Sequence, residues 1–348
     1  MLWSEGHVGA DGEMADFASE WAQKRAGRAG AKEKRASKKE ADPEAAAKRV
    51  AERVQKMDAG IEDFSRWLED LVRAGLATAK TRPFGWWDDT AARLVDAQLP
   101  GLADLVREAA GRIHATEEWA SFLLRNVGRW HLLTQAWRSR DALDEEDQAA
   151  LRAALGWPVP TVEVRAGPAI TGNWTVLGAY RSENGPLLQQ RTWIMGPREE
   201  ILLLLDTAGP GQALGVPHLA GAVFEATLCR YPGPPPRRAL ITGDTKPKGE
   251  ATDLGPGVDI GGALAAVGAS LGKAPWRDLY PITLKGVAVI PGQNAMLQDR
   301  SGAVISLADG GLRMAALTGG HPADVFGEIS DGTFRALTLI VEGEVLAL

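Results

Sequence analysis

The stretch Val50-Ala-Glu-Arg-Val54-Gln-Lys-Met57-Asp-Ala-Gly-Ile61-Glu-Asp-Phe64-Ser-Arg-Trp-Leu68-Glu-Asp-Leu71 decides how the first half of this chain folds. Its apolar residues recur in alternating steps of four and three, the heptad period of a helix that buries one seam. Asp42-Pro43-Glu44 opens the helix with a capping side chain, a proline at the first helical position and an acid in the first turn. Gly75 ends it. Gly60 costs about 1 kcal/mol relative to alanine at a helix interior, and it reads as the site of a bend. So few heptads favour a long helix in an antiparallel bundle over an intermolecular coiled coil, with dimerisation as the alternative.

Downstream, the helical period continues. Pro83-Phe-Gly-Trp-Trp87 reads as an aromatic turn, and Asp88-Asp89 opens a helix with Ala91, Leu94, Val95 and Leu99 inward. Pro100 starts another, carrying Leu102, Leu105, Val106 and Ala109. A third, capped by Thr116-Glu-Glu, is lined by Trp119, Leu123, Val127, Trp130 and Trp137. The last runs from Asp144 to Leu155 and stops at Gly156 with Pro158 beyond. Packing of helix faces accounts for most of the chain's 12 tryptophans; Trp86 and Trp87 are the pair to expect on a partner surface.

Upstream, Met14, Phe17, Ala18 and Trp21 form a stripe at helical spacing, followed by the cations Lys24, Arg25, Arg28, Lys32, Lys34, Arg35, Lys38 and Lys39. This run has no buried face of its own and reads as a solvated helix or linker. The alternative is contact with nucleic acid or an acidic partner. Without interleaved aromatics to stack on bases, such contact would be to phosphate and would weaken with salt.

After Pro160 the period changes to two. Residues 161–165 and 174–180 alternate apolar and polar, and Asn184-Gly185 is a strong hairpin signal joining the second of these to 188–195. Ile201 to Asp206 reads as a buried strand, and strands over 222–230 and 237–242 flank Pro232-Gly-Pro-Pro-Pro236, a rigid turn. Residues 243–258, rich in Gly, Pro, Asp and Lys, read as a linker, and 260–271 as a small-residue helix. Short strands then return, including 312–318, 324–328, 333–339 and 341–348, at a spacing that predicts a small barrel or curved sheet. The fold class is α+β: an N-terminal helical bundle, then a mainly antiparallel β-rich half with that small barrel at the C-terminus. The expected organisation is a basic segment over 1–41, a bundle over 42–157, an antiparallel domain over 158–242, the linker 243–258, and a small β-rich domain with one helix over 259–348.

Charge and composition remove several functions. A net charge of -6 argues against general affinity for nucleic acid, which relies on cationic surface. Cys229 is the sole cysteine, so no intrachain disulfide forms and a cytoplasmic location is expected. Cys229 sits in a strand pattern and reads as a buried, inert thiol. The longest apolar run, Ile201 to Leu205, falls far short of the roughly 20 residues that cross a bilayer. Gly268-Ala-Ser270-Leu-Gly272, with Asp278 and His321 following, mimics a hydrolase nucleophile elbow. Yet Ser270 lies in a Gly/Ala helix, where the chemistry needs a strained strand-to-helix turn. The same stretch fails as a phosphate-binding loop because Ala274 stands where a magnesium-binding hydroxyl is required. No paired-cysteine spacing or His-Glu-x-x-His run occurs, so no catalytic residue and no metal ligand is assigned.

Several pieces carry a resemblance. They are Leu2-Trp-Ser-Glu-Gly-His7 leading to Phe17-Ala-Ser-Glu-Trp21, Leu68-Glu-Asp-Leu-Val-Arg-Ala-Gly-Leu76, Ala92-Arg-Leu-Val-Asp-Ala-Gln-Leu-Pro-Gly101, Leu155-Gly-Trp157, Arg191-Thr-Trp-Ile194, and Leu317-Thr-Gly-Gly-His-Pro-Ala-Asp-Val-Phe-Gly-Glu328. In this order they resemble the region that follows the zinc-binding motif of bacterial SWIM zinc-finger family proteins. In that family a Cys-x-Cys…Cys-x-His motif precedes a segment like residues 1–7. The opening here reads as the tail of a helix already under way, so zinc is expected only with a motif upstream of this sequence. The resemblance implies a non-enzymatic interaction or scaffold protein, with a MoxR-type ATPase or a von Willebrand A-type protein as partner. A nucleic-acid-associated protein using residues 24–39 is the alternative, and a serine hydrolase a third reading. A polar cleft in which ionisable side chains converge would require the scaffold reading to be rebuilt around it.

Overall fold

A computed structural model describes residues 43–184, 187–214 and 219–348, in two units divided between Ala59 and Gly60. The first helix, α1, spans Pro43–Ala74 and runs unbroken through Gly60. In the first unit, Val50 is 50% exposed while Met57 is buried. From Gly60 onward the seam is fully used: Ile61, Phe64, Leu68 and Leu71 are all buried. Gly60 marks a close approach. A Cβ there would lie 2.4 Å from the Cβ of Ala97, so the absence of a side chain admits the next helix pair.

The short turn α2 (Leu76–Ala79) leads to α3 (Phe84–Asp96), which starts earlier than the aromatic turn predicts because Pro83 occupies its N-cap. Next come α4 (Pro100–Arg112), α5 (Trp119–Arg138) and α6 (Glu145–Ala154), whose N-cap Asp144 accepts a hydrogen bond from the Asp147 amide at 2.8 Å. Trp67, Trp86, Trp87 and Trp130 join Phe64 in one aromatic cluster with centroid separations of 5.0–6.4 Å. Trp87 is 1% exposed and Trp86 partly buried. The Trp87 ring is therefore spent on packing and does not form the partner surface expected of it, while Trp86 keeps part of its surface accessible.

Residues 161–165, expected as a strand, form the helix α7 (Thr161–Ala166) with Pro160 at its N-cap and Glu163 in its first turn. Five strands then close a barrel in the order β1-β2-β3-β5-β4. They are β1 (Ala169–Asn184), β2 (Leu187–Met195), β3 (Ile201–Ala208), β4 (Ala222–Arg230) and β5 (Arg237–Glu250). All pairs are antiparallel except β3 with β5. Alternate residues fill the interior, including Trp174, Val176, Leu202, Leu204, Phe224, Ala226 and Leu228, as period-two strands require. Residues 243–250, expected as linker, are the outer half of β5. They pair with β4 up to Ala222 opposite Glu250, and exposure of the whole segment removes the hydrophobic alternation that betrays a strand.

Helix α8 (Ile260–Lys273) connects to the last sheet. Its strands are β6 (Tyr280–Ile290), β7 (Met296–Gln298), β8 (Val304–Leu307), β9 (Ala323–Ser330), β10 (Thr333–Val341) and β11 (Glu344–Ala347). Their order is β11-β10-β8-β7-β6-β9, and β9 also pairs with β10. That last pairing closes a ring, so the small barrel expected at the C-terminus is present alongside the one before it. Residues 312–318, expected as a strand, form α9 (Gly311–Thr318) between two left-handed glycines. Its buried Gly311, Met314 and Thr318 follow helical spacing, and Met314 packs into the core of the second ring.

The two β modules meet face to face. Leu177 and Trp193 from the first pack against Phe326 and Leu337 from the second. Gly178 follows a bulge in β1, and a Cβ there would lie 2.8 Å from the Cβ of Leu337. Among the described residues, no helix is long and apolar enough to cross a membrane.

Candidate functional site

Where the bundle, the barrel and the last sheet converge, they leave a cleft of about 480 Å³, within the usual range of small-ligand sites. Helix α4 contributes Glu108 and Arg112, and α5 contributes Phe122, Arg129 and Trp130. Tyr180 and Arg191 come from β1 and β2, Glu328 from β9, Arg335 from β10, and Asp278 from the connector that enters β6.

Most of these charges are fixed by one another. Arg191 and Trp193 lie two apart on β2 and so share a face. Arg191 donates to both oxygens of Glu328, at 3.1 and 2.9 Å, and the Trp193 indole donates to the same carboxylate at 2.7 Å. Glu328 is only 1% exposed; charge-assisted bonds from three donors offset the cost of burying it. Arg129 donates to Asp331 at 2.9 Å, with Arg125 3.6 Å away. Asp331 and Gly332 both have positive φ and form the two-residue hairpin turn between β9 and β10 that Asp-Gly favours. That turn offers a carboxylate to the bundle. Arg335, opposite Glu328 across the strands, pairs with Asp309, and Arg112 pairs with Glu108 at 3.1 Å. The guanidinium carbons of Arg335 and Arg191 lie 4.4 and 5.1 Å from the centre of the Tyr180 ring, close enough for cation–π attraction.

Asp278 is the exception. No salt bridge engages its carboxylate among the described residues, and the crowding walls hold its pKa above the usual aspartate range, with Arg129 opposing. The residue still meets solvent at the cleft mouth. A concavity does both at once: water reaches the carboxylate, but too little surrounds it to solvate the charge fully. The neighbouring Tyr280 phenol is also pushed up by burial and donates to the Arg277 carbonyl at 2.8 Å. The Trp130 wall is fully buried, and its indole N–H has no hydrogen-bond partner among the described residues.

The residues singled out in the sequence go elsewhere. The cations of 24–39 lie outside the described residues. Ser270 lines an apolar groove beside Pro281 and Ile282, Asp278 lines the cleft, and His321 is exposed; they do not share one cavity. His114 and His131 are exposed as well. Cys229 is buried, 3.8 Å from the Arg165 carbonyl. No group of three or more His, Cys, Asp or Glu that could hold a metal occurs among the described residues. Sequence reasoning missed the cleft, although Arg191-Thr-Trp193 and Phe326-Gly-Glu328, two pieces that carry the resemblance, lock together to form one of its walls.

No curated protein and no solved structure matches the chain. The family model of the SWIM-associated four-helix bundle domain matches residues 52–155, the stretch from within α1 to the end of α6. The helical part of this chain is thus similar to the SWIM-associated four-helix bundle domain, which is consistent with a SWIM-family protein whose sequence here lacks the zinc motif.

Proposed function

We propose that this chain is a non-enzymatic interaction protein whose cleft receives a basic side chain, lysine or arginine, from a partner protein. The observation that carries the reading is the unpaired carboxylate of Asp278 in a cleft whose other charges are already paired. General acid–base catalysis needs groups free to exchange protons with a substrate; here the paired groups brace the walls instead. Leu279, only partly buried, offers apolar surface for the aliphatic stem of such a side chain, and Asp278 offers the counterion for its head. A cation beside Asp278 favours its ionised form against the burial that raises its pKa. Binding is therefore coupled to proton release and strengthens as pH rises through that raised pKa. The MoxR-type ATPase or von Willebrand A-type protein implied by the resemblance is where we look for this side chain, in the cytoplasm.

Calorimetric titration with N-acetyl-argininamide and its lysine and norleucine analogues tests this. Saturable binding of the cationic probes, strengthening with pH and lost in Asp278→Asn, is expected. No binding at about millimolar concentration, the weak end of specific recognition, overturns the reading, as does binding that ignores the substitution.

A further inference from the structure

A second cavity lies on the other side of the connector 274–279. It is a groove of about 590 Å³ between the alanine face of α6 and the turn that joins β4 to β5. Three flat rings line it, Trp157, Tyr231 and Trp276, together with Arg237, Arg238 and Arg277. Arg237 is paired with Glu146 and Glu200, but the other two arginines differ from those of the cleft. Neither has a carboxylate within ion-pair distance among the described residues. Arg277 donates only to backbone carbonyls, those of Pro235 and Pro234, the latter at 3.2 Å. Of its five N–H donors these bonds use two. Burial lowers its pKa, as expected for a charge without a counterion. Arg238 stacks over Tyr231 with its guanidinium carbon 4.5 Å from the ring centre, which leaves the other face of the guanidinium plane uncovered by that ring.

Free guanidinium groups recognise phosphate by paired N–H donors, and guanidinium planes and aromatic rings are the surfaces on which nucleobases stack. The small side chains of Ala149, Ala150 and Ala153 leave room for a flat ring against α6. We infer that this groove binds a nucleoside phosphate, with the phosphate between Arg238 and Arg277 and the base against the Tyr231 and Trp157 side. The inference is independent of what occupies the cleft, because it uses a different cavity and the opposite charge.

The test is calorimetric titration of the whole chain with AMP, beside adenosine, ribose 5-phosphate, inorganic phosphate and an acidic tetrapeptide. AMP is expected to bind saturably and more weakly as salt is raised. Each half-ligand should bind about tenfold less tightly or worse, the weight of one lost charge-assisted contact or one lost stacking surface. Arg238→Gln should weaken AMP by about tenfold on the same grounds, with an unchanged thermal unfolding curve. Tyr231→Leu, which keeps the charge, should weaken AMP but not inorganic phosphate. The inference is overturned if AMP fails to bind, if both variants bind it as the wild type does, or if inorganic phosphate or the acidic peptide binds as tightly as AMP.

Discussion

Arg191 and Glu328, 137 positions apart, form a two-point ion pair in which the carboxylate is almost wholly removed from solvent. The contact ties the first barrel to the last sheet and places the guanidinium that flanks Tyr180. Glu328→Gln leaves Arg191 without its counterion at a site where the arginine is only 17% exposed. Breaking a buried pair from one side costs about 3–5 kcal/mol. Urea unfolding should show a loss toward the lower end of that range, since glutamine retains one acceptor. Arg191→Met with Glu328→Leu, made in a Trp193→Phe background so that the buried indole N–H is not left without its acceptor, should recover most of it relative to that background. A double variant as unstable as the single one would show that the pair is not what holds this wall.

Gly327 sits opposite Ala336 where β9 pairs with β10. A Cβ there would lie 2.2 Å from the Arg335 carbonyl oxygen and 2.5 Å from the Phe334 ring. Neither can retreat without breaking the sheet. Gly327→Ala should therefore destabilise by about 1–3 kcal/mol, the usual cost of overpacking, measured as a fall in the midpoint of thermal or urea unfolding.

Asp278 supplies a pH dependence of defined sign. Its folded-state pKa is raised, so the folded chain holds this proton more tightly than the unfolded chain does. Stability therefore falls as pH rises from the ordinary aspartate value of about 3.9 through the raised one. Asp278→Asn should match the wild type below that window and exceed it above. The difference in urea midpoint plotted against pH checks this, and a gap that is constant with pH would assign the effect to something other than ionisation.

Thr338 is 0% exposed, and its hydroxyl has no hydrogen-bond partner among the described residues. A buried polar group left unsatisfied costs about 1–3 kcal/mol. Thr338→Val keeps the shape and removes the group, so the variant should gain about 1 kcal/mol on the same basis, read as a raised unfolding midpoint.

The bundle was legible because most of its helices announce their period and several their starts: Pro43, Pro100 and Asp144 start helices, and the heptad seam of α1 is buried from Ile61 onward. By contrast, the expected Thr116 cap gives way to Glu118, without a side-chain bond, and α3 opens at Phe84 ahead of Asp88. The β half was legible where one strand face is buried. It was misread where local pattern and tertiary context disagree. Thr161 to Arg165 alternates like a strand, but Pro160 starts a helical turn there. Leu312 to Thr318 is apolar enough for a strand, but Gly310 and Gly319 take the left-handed conformation and bracket a helix. The outer half of β5 has no buried face at all. The cleft left no trace in any window of sequence, since its walls come from positions between Leu105 and Arg335 and only the chain's long-range pairings assemble them.

The connector from α8 to β6 puts three consecutive side chains to different uses: Trp276 lines both cavities, Arg277 the groove and Asp278 the cleft. A partition one strand of chain thick cannot yield on one side without moving on the other. Guests bound as proposed in the two cavities would both meet Trp276, and any effect of one on the affinity of the other must then be returned by an equal factor.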